Sequence, residues 1–418
     1  MVFGRGMKKS SSRRRPRPRR NAKRSHSRSA KRRDRARVRV HARDVFGFVD
    51  QALGEDLHAK RILSLSKATT GVIHSASLGV SAIGRALALA QKTDAKHGIK
   101  QVDRLLSNVA IDPQELFASW VPFVLSSRTE ARIALDWTHF DKDGHATLAA
   151  YLLTTHGRAT PLVWRTFSLA ELTDGGRNDA EDVLLLRLRE VLPAGVIVTL
   201  VADRGFGGVE LYKLLDEWGW KYVIRFRKGV LVTSAKGETK PVEEWVSPKG
   251  HAKALVHARV TTEQYTVGAV VSIHAKGMKD AWFLATNLEG LKARDIVNIY
   301  ARRFTIEETF RDQKNPRFGL GMNHTRAKTP ERRDRLLLLA ALAQALLTLL
   351  GAAGERCGID RYLKANTSKK RTMSLFSQGC YWFQAIDGMK TERLRMLMTA
   401  FGEIIHEHQA ISKALGVI

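Results

Sequence analysis

The 418 residues carry 70 Lys or Arg against 41 Asp or Glu, a formal charge of +29. Such an excess points to a polyanion as partner, with nucleic acid the commonest. The length allows two or three domains and a large core, and 44% hydrophobic residues is ordinary for a globular protein. Two cysteines, Cys357 and Cys380, exclude a disulfide scaffold and suit a reducing compartment.

Residues 1–40 hold 18 Lys or Arg and a single acid, Asp34, while the rest of the chain is still basic. The run "SSSRRRPRPRRNAKRSHSRSAKRRDR" is too charged and too poor in apolar residues to fold alone. It reads as a disordered arm over 1–43 that can neutralise phosphates. No apolar stretch follows it, so it is no secretory signal. Residues 44–127 read as several short helices, with breaks at Gly54, at Lys92–Gly98 and at Asp112–Pro113.

The pattern changes at 131. "ARIALDW" is a short apolar run that ends on Asp136, and "ATLAAYLLTT" and "ATPLVWRTFSL" follow as strands joined by a turn at "HGR". Residues 179–192 form a helix with acids at its start. "GVIVTLVADRGFGG" is a buried strand that stops at Asp203, a helix spans 208–219, and "WKYVIRFRKG" is one more strand. This is an α/β layer with a mixed sheet and flanking helices, covering 128–228.

Residues 229–286 read as a β-rich insert, with Ala254, Val256, Ala258 and Val260 alternating onto one face. Over 287–354 the pattern is helical again. The segment "IYARRFTIEETFRDQK" reads as one helix. On it Tyr300, Arg303, Glu307 and Lys314 lie within about 60° of one another along nearly four turns. One carboxylate among cations and a phenol suggests that the face meets an anion or a metal. "LLLLAALAQALLTLLGAAG" is nearly long enough for a bilayer. Gln344, Thr348 and a helix start at Thr329, Pro330 and Glu331 favour a buried core helix instead. The last part, 355–418, is loop-rich and then helical, with one amphipathic helix over 389–414. The "HEH" at 406–408 reads as a surface helix, since histidines two apart do not converge.

Two strands therefore end in an acid, and an aspartate at a strand end is costly to bury unless paired, hydrogen-bonded or metal-bound. Asp203 also suits a turn or helix cap beside Gly205, Gly207 and Gly208. Taken with Glu307, the acids have a common rationale. Carboxylates are the hard ligands Mg²⁺ prefers, and two such ions clamp the attacking and leaving oxygens of an in-line phosphoryl transfer. Arg303, Lys314 and Tyr300 could then hold phosphates.

"Y-x2-R-x3-E-x6-K", filled by Tyr300, Arg303, Glu307 and Lys314, resembles the signature of the YREK subgroup of bacterial insertion-sequence DDE transposases. "LDWT" at Asp136 and "ADRGFG" at Asp203 look like that family's first and second acidic motifs. The resemblance runs over about residues 95–350. It implies a ribonuclease-H-like core interrupted by the β insert and preceded by a helical DNA-binding domain. It implies Asp136, Asp203 and Glu307 as ligands of two Mg²⁺, with Mn²⁺ able to substitute. It also implies DNA contacts by Arg225, by Trp282 stacking on a flipped base, and by Tyr300, Arg303 and Lys314, with Arg204 beside the DNA and steadying the acids. The expected function is cut-and-paste DNA transposition at terminal inverted repeats. A homodimer would pair two ends in the cytoplasm, associated with the nucleoid and with no membrane. A non-mobile metal-dependent nuclease on the same core, or a non-catalytic DNA-binding protein, would be the alternatives. The basic arm and 355–418 fall outside the shared pattern.

Overall fold

The computed structural model describes residues 40–416 except 174, 317 and 318. The basic arm read from the sequence lies almost wholly outside the described residues. Its last two, Ala42 and Arg43, already belong to helix α1 (Ala42–Leu53). Four more helices follow: α2 (Ala59–Ser75), α3 (Val80–Gln91), α4 (Ala95–Leu106) and α5 (Pro113–Leu125). The breaks at Gly54 and Asp112–Pro113 fall where turn and capping chemistry places them, whereas the one read over Lys92–Gly98 is only 92–94, and Gly98 is buried inside α4. Gly54 closes α1. Asp112 caps α5 by accepting from the Gln114 amide at 3.0 Å, with Pro113 in the first turn.

The sheet begins with β1 (Glu130–Phe140), β2 (His145–Leu152) and β3 (Thr160–Ser168), paired antiparallel in succession. Helix α6 (Gly176–Val191) leads to β4 (Ile197–Ala202), and α7 (Val209–Glu217) to β5 (Lys221–Arg225). β4 runs parallel to both β1 and β5. Its near-continuous apolar run, Ile197 to Ala202, is what a central strand covered on both faces needs. In the β1–β4 ladder Leu135 is level with Ala202. Asp136 and Asp203 are therefore the next residues along adjacent parallel strands, but only β4 ends there: β1 does not stop at Asp136 as the apolar run suggested and continues to Phe140, paired with β2.

The β-rich stretch comprises β6 (Leu231–Thr233), β7 (Thr239–Pro241), β8 (Lys253–Val256), β9 (Arg259–Val260), β10 (Tyr265–Thr266), β11 (Ala269–Ile273) and β12 (Trp282–Thr286). It does not stay apart from the core. β12 pairs with β5, so the main sheet runs β3-β2-β1-β4-β5-β12-β11-β8, while β10-β9-β6-β7 form a second, smaller sheet. The alternation read across 254–260 is broken for the same reason. His257 takes φ +49°, which ends β8 in one sheet and starts β9 in the other, and Val256 is left exposed.

The segment read as one helix over 299–314 is two, α8 (Ala293–Ala301) and α9 (Phe304–Lys314). Between them the backbone tightens to bonds between residues three apart: Arg303 N to Tyr300 O at 2.9 Å and Ile306 N to Arg303 O at 2.9 Å. Helix α10 (Pro330–Arg356) is the core helix anticipated. Thr329 caps it by accepting from the Arg332 amide. Among the described residues it is the one unbroken helix long and apolar enough to cross a bilayer, and 94% of that stretch is buried against protein. It packs on β3, α2, α11 (Leu375–Ala385) and α12 (Thr391–His406). The final helix expected over 389–414 also divides. Glu407 separates α12 from α13 (His408–Leu415), and His406 and His408 fall on opposite sides of that break.

Candidate active site

Two of the three acids of the sequence reading, Asp136 and Glu307, share a partner, and Asp203 has its own beside them. Arg303, 4% exposed, sits in the tight turn between α8 and α9. Its Nη1 donates to Asp136 Oδ2 at 2.9 Å and its Nη2 donates to Glu307 Oε1. Tyr300, fully buried at the end of α8, donates its hydroxyl to Asp203 Oδ1 at 3.1 Å. Arg225, at the end of β5, brings Nη1 within 3.8 Å of the same carboxylate and donates from Nη2 to the Ala281 carbonyl at 3.2 Å. Asp136 also accepts from the Trp137 amide at 3.0 Å.

The charges are strongly coupled. Burial pushes the Asp136 carboxyl up to about 6. Arg303 opposes that shift, and Glu307 and Asp203 add to it. Burial works against the charge on Arg303, but Asp136, Tyr300, Asp203 and Glu307 together outweigh it and raise its pKa. Burial, with Asp203 adding to it, takes the Tyr300 phenol up to about 12 against the pull of Arg303 and Arg225, so it remains a donor at neutral pH.

Beside the acids lies an open hollow of about 520 Å³, lined by Asp136, Glu307, Arg311, Lys314, Asn323 and His324 among others. Lys314 closes one side of it. Its Nζ donates to the His139 carbonyl at 2.7 Å and to Thr138 Oγ1 at 3.2 Å, and burial lowers its pKa. Half-buried Trp282 opens β12 and packs edge-on to Tyr300, centroids 5.0 Å apart, and against Phe304 at 5.8 Å. Glu308 turns away to Arg311 and Arg158.

The structure thus gathers Asp136, Asp203, Glu307, Tyr300, Arg303 and Arg225 through direct contacts, with Lys314 on the adjoining hollow and Trp282 against Tyr300. Arg204 is not gathered. It follows Asp203 but is exposed, and among the described residues it makes no hydrogen bond or ion pair with the acids. Sequence reasoning missed Phe304, which covers Trp282. It also missed Glu181 on α6, which accepts from Trp137 Nε1 at 2.8 Å and whose carboxyl burial pushes up to about 7. The acid-rich start of α6 carries Glu181 in plain view, but nothing local ties it to β1.

Asp136, whose proton affinity is raised by burial and by the nearby Glu307 and Asp203, belongs to a donor set that a hard divalent cation would stabilise. The residues fit such an ion by their chemistry. Among the described residues, however, no three His, Cys, Asp or Glu side chains already converge as a formed cage. Here the Arg303 guanidinium is what holds Asp136 and Glu307. Residues 130–346, just over half of the chain, match the family model for the transposase DDE domain. No curated protein matches the sequence.

Proposed function

The chain belongs to the transposase DDE-domain family, and from that premise we propose that it is a cut-and-paste transposase of the YREK subgroup of bacterial insertion sequences. Membership makes it a transposase or a related nuclease, a DNA-binding and DNA-cleaving enzyme of a family that uses divalent metal. The observation that carries the finer reading is positional. Asp136 and Asp203 follow the last paired residues of the parallel β1–β4 ladder, and Glu307 is tied to Asp136 through Arg303 at the mouth of a hollow that also holds Lys314.

In this reading Asp136, Asp203 and Glu307 hold two Mg²⁺. When bound, the ions supply an activated water and neutralise charge on the phosphodiester. The chain's own residues do the rest. Tyr300 and Arg225 fix the Asp203 carboxylate. Arg303, once carboxylate charge is met by metal, has a guanidinium suited to a phosphate oxygen. Lys314 presents a positive charge to the DNA strand in the hollow. Trp282 offers a ring on which a base displaced from the duplex end can stack, which stabilises such a base by about 1–3 kcal/mol. Water cuts the strand at the element's end, and the freed 3′-hydroxyl attacks the second strand or the target. Two copies pair two terminal inverted repeats, so that both ends are processed together.

The test uses duplexes that carry the DNA flanking the coding region, with and without Mg²⁺. Asp136→Asn, Asp203→Asn and Glu307→Gln are each expected to bind the end and fail to nick it. Metal-dependent nicking by the triple variant would sink the assignment.

A further inference from the structure

A second surface, away from the acids, has the chemistry of a duplex reader. Helix α4 buries Gly98, Val102, Leu105 and Leu106 and turns the opposite face outward. With Lys100 as zero, Lys96, Arg104 and His97 lie within about 60° of it and Gln101 at about 100°. Lys96, His97, Lys100 and Arg104 are exposed, and Gln101 is half-buried. From Lys96 to Arg104 the stripe is about 12 Å long, close to the width of a DNA major groove. It borders a hollow of about 520 Å³ shared with Ser64 and Asn108. The neighbouring helix α3, "VSAIGRALALAQ", carries one charge, Arg85, and cannot play this part.

Two features make this more than a solvated helix. First, its orientation is fixed by backbone contact. A Cβ on Gly98 would lie 2.1 Å from the Gly84 carbonyl oxygen, and one on Gly84 would lie 2.4 Å from Ile99 Cα. The α3 and α4 backbones therefore touch, which only glycine permits. A three-residue turn, 92–94, joins them, as in helix-turn-helix readers. Second, its far end is fastened to the start of α10. Buried Arg335 donates to the carbonyls of Ile111 at 2.7 Å and Leu106 at 3.2 Å. Arg332 holds Asp103 at 2.7 Å. Asp103 is the one acid within α4, so its pairing leaves the outward face net positive.

We propose that α4 is the helix that enters the major groove of the bound duplex, with Gln101 and Arg104 on base edges and Lys96 and Lys100 on phosphates. This deepens the transposase reading and rests on it for the identity of the duplex as the element's terminal repeat. The geometry of the pairings follows base chemistry: Gln to adenine and Arg to guanine.

The experiment selects duplexes from a random-sequence pool with the full chain in EDTA, so that no catalysis is needed. Wild type enriches a motif. Gln101→Ala and Arg104→Ala each relax it at one or two neighbouring positions. Gln101→Glu moves one position from adenine toward cytosine, a gain that a misfolded protein cannot produce. Lys96→Ala with Lys100→Ala keeps the motif, weakens binding, and lowers the slope of log affinity against log salt by about two. An unchanged motif at unchanged affinity across these variants overturns the proposal, as does a wild-type chain that enriches nothing. The two readings fail separately. A chain whose motif depends on α4 but which cuts nothing with Mg²⁺ loses the catalytic reading alone. One that cuts with a motif indifferent to α4 loses this one.

Discussion

Arg303 reaches two carboxylates because the chain tightens beneath it. The bonds between residues three apart at 300–306 end α8 and restart the helix as α9. Tyr300 is thereby left on one helix facing Asp203, and Glu307 on the other. The sequence shows the residue types and their spacing, and the idea of a charged face arises from them directly. It does not show the break, because neither Gly nor Pro marks it and the local propensity is ordinary helix. A buried acid outside the site gives a residue-scale prediction. Asp334, on α10, is 6% exposed, accepts from the Thr166 amide at 3.3 Å, and has an Oδ1 with no hydrogen-bond partner among the described residues. Burial pushes its carboxyl up to about 7 from an ordinary 3.8. The folded state therefore holds this proton more tightly than the unfolded one. Its contribution is intact below about pH 4 and is lost as pH rises to about 7, by at most about 4 kcal/mol. Asp334→Asn should raise Tm at pH 8 and leave it nearly unchanged at pH 4. A melting difference independent of pH would mean that the carboxyl does not titrate in this window.

At the scale of elements, local signals and long-range pairing separate cleanly. β1, β4 and β5 are legible because each is an apolar run bounded by turn residues. α5 and α10 are legible because Asp112–Pro113 and Thr329–Pro330 are capping sequences. The two acids can be seen in the sequence for the same reason, Asp203 just past β4 and Asp136 inside β1, which runs on to Phe140. Their adjacency cannot, because it comes from the β1–β4 register, set between strands some sixty residues apart. Nor can the sheet membership of β8, β11 and β12, since alternation reports a buried face and not which sheet owns it. The packing of α11 on α10 is equally hidden, although it hinges on two glycines. A Cβ on Gly379 would lie 1.8 Å from the Leu347 carbonyl oxygen, and one on Gly351 would lie 1.9 Å from that of Leu375. Gly379→Ala must push the helices apart, and overpacking of this kind costs about 1–3 kcal/mol or more. A Cβ on Gly402, in α12, would meet nothing within 4 Å. Gly402→Ala should gain up to about 1 kcal/mol from helix propensity. Denaturant midpoints of the two variants are expected to move in opposite directions, and a Gly379→Ala protein as stable as wild type would show that the two helices can separate without loss.

For the whole molecule the charge is divided in a way that separates affinity from sequence preference. Residues 1–40 carry 18 of the 70 Lys and Arg with one acid, and phosphate contacts by lysine and arginine add affinity without reading bases. The described residues hold the features that can discriminate sequence, the outward stripe of α4 and the hollow beside Asp136 and Glu307. A chain starting at Val40 should therefore lose affinity for every duplex alike. Each phosphate contact removed takes about 0.9 from the slope of log affinity against log salt, so the slope should fall by several units. The motif enriched from a random pool should stay the same, and so should the requirement of nicking for Asp136, Asp203 and Glu307. The comparison is made by titrating matched and scrambled duplexes across a salt series. If deletion instead erased the preference between them while leaving the salt slope unchanged, base reading would have to be reassigned from the folded helices to the first 39 residues.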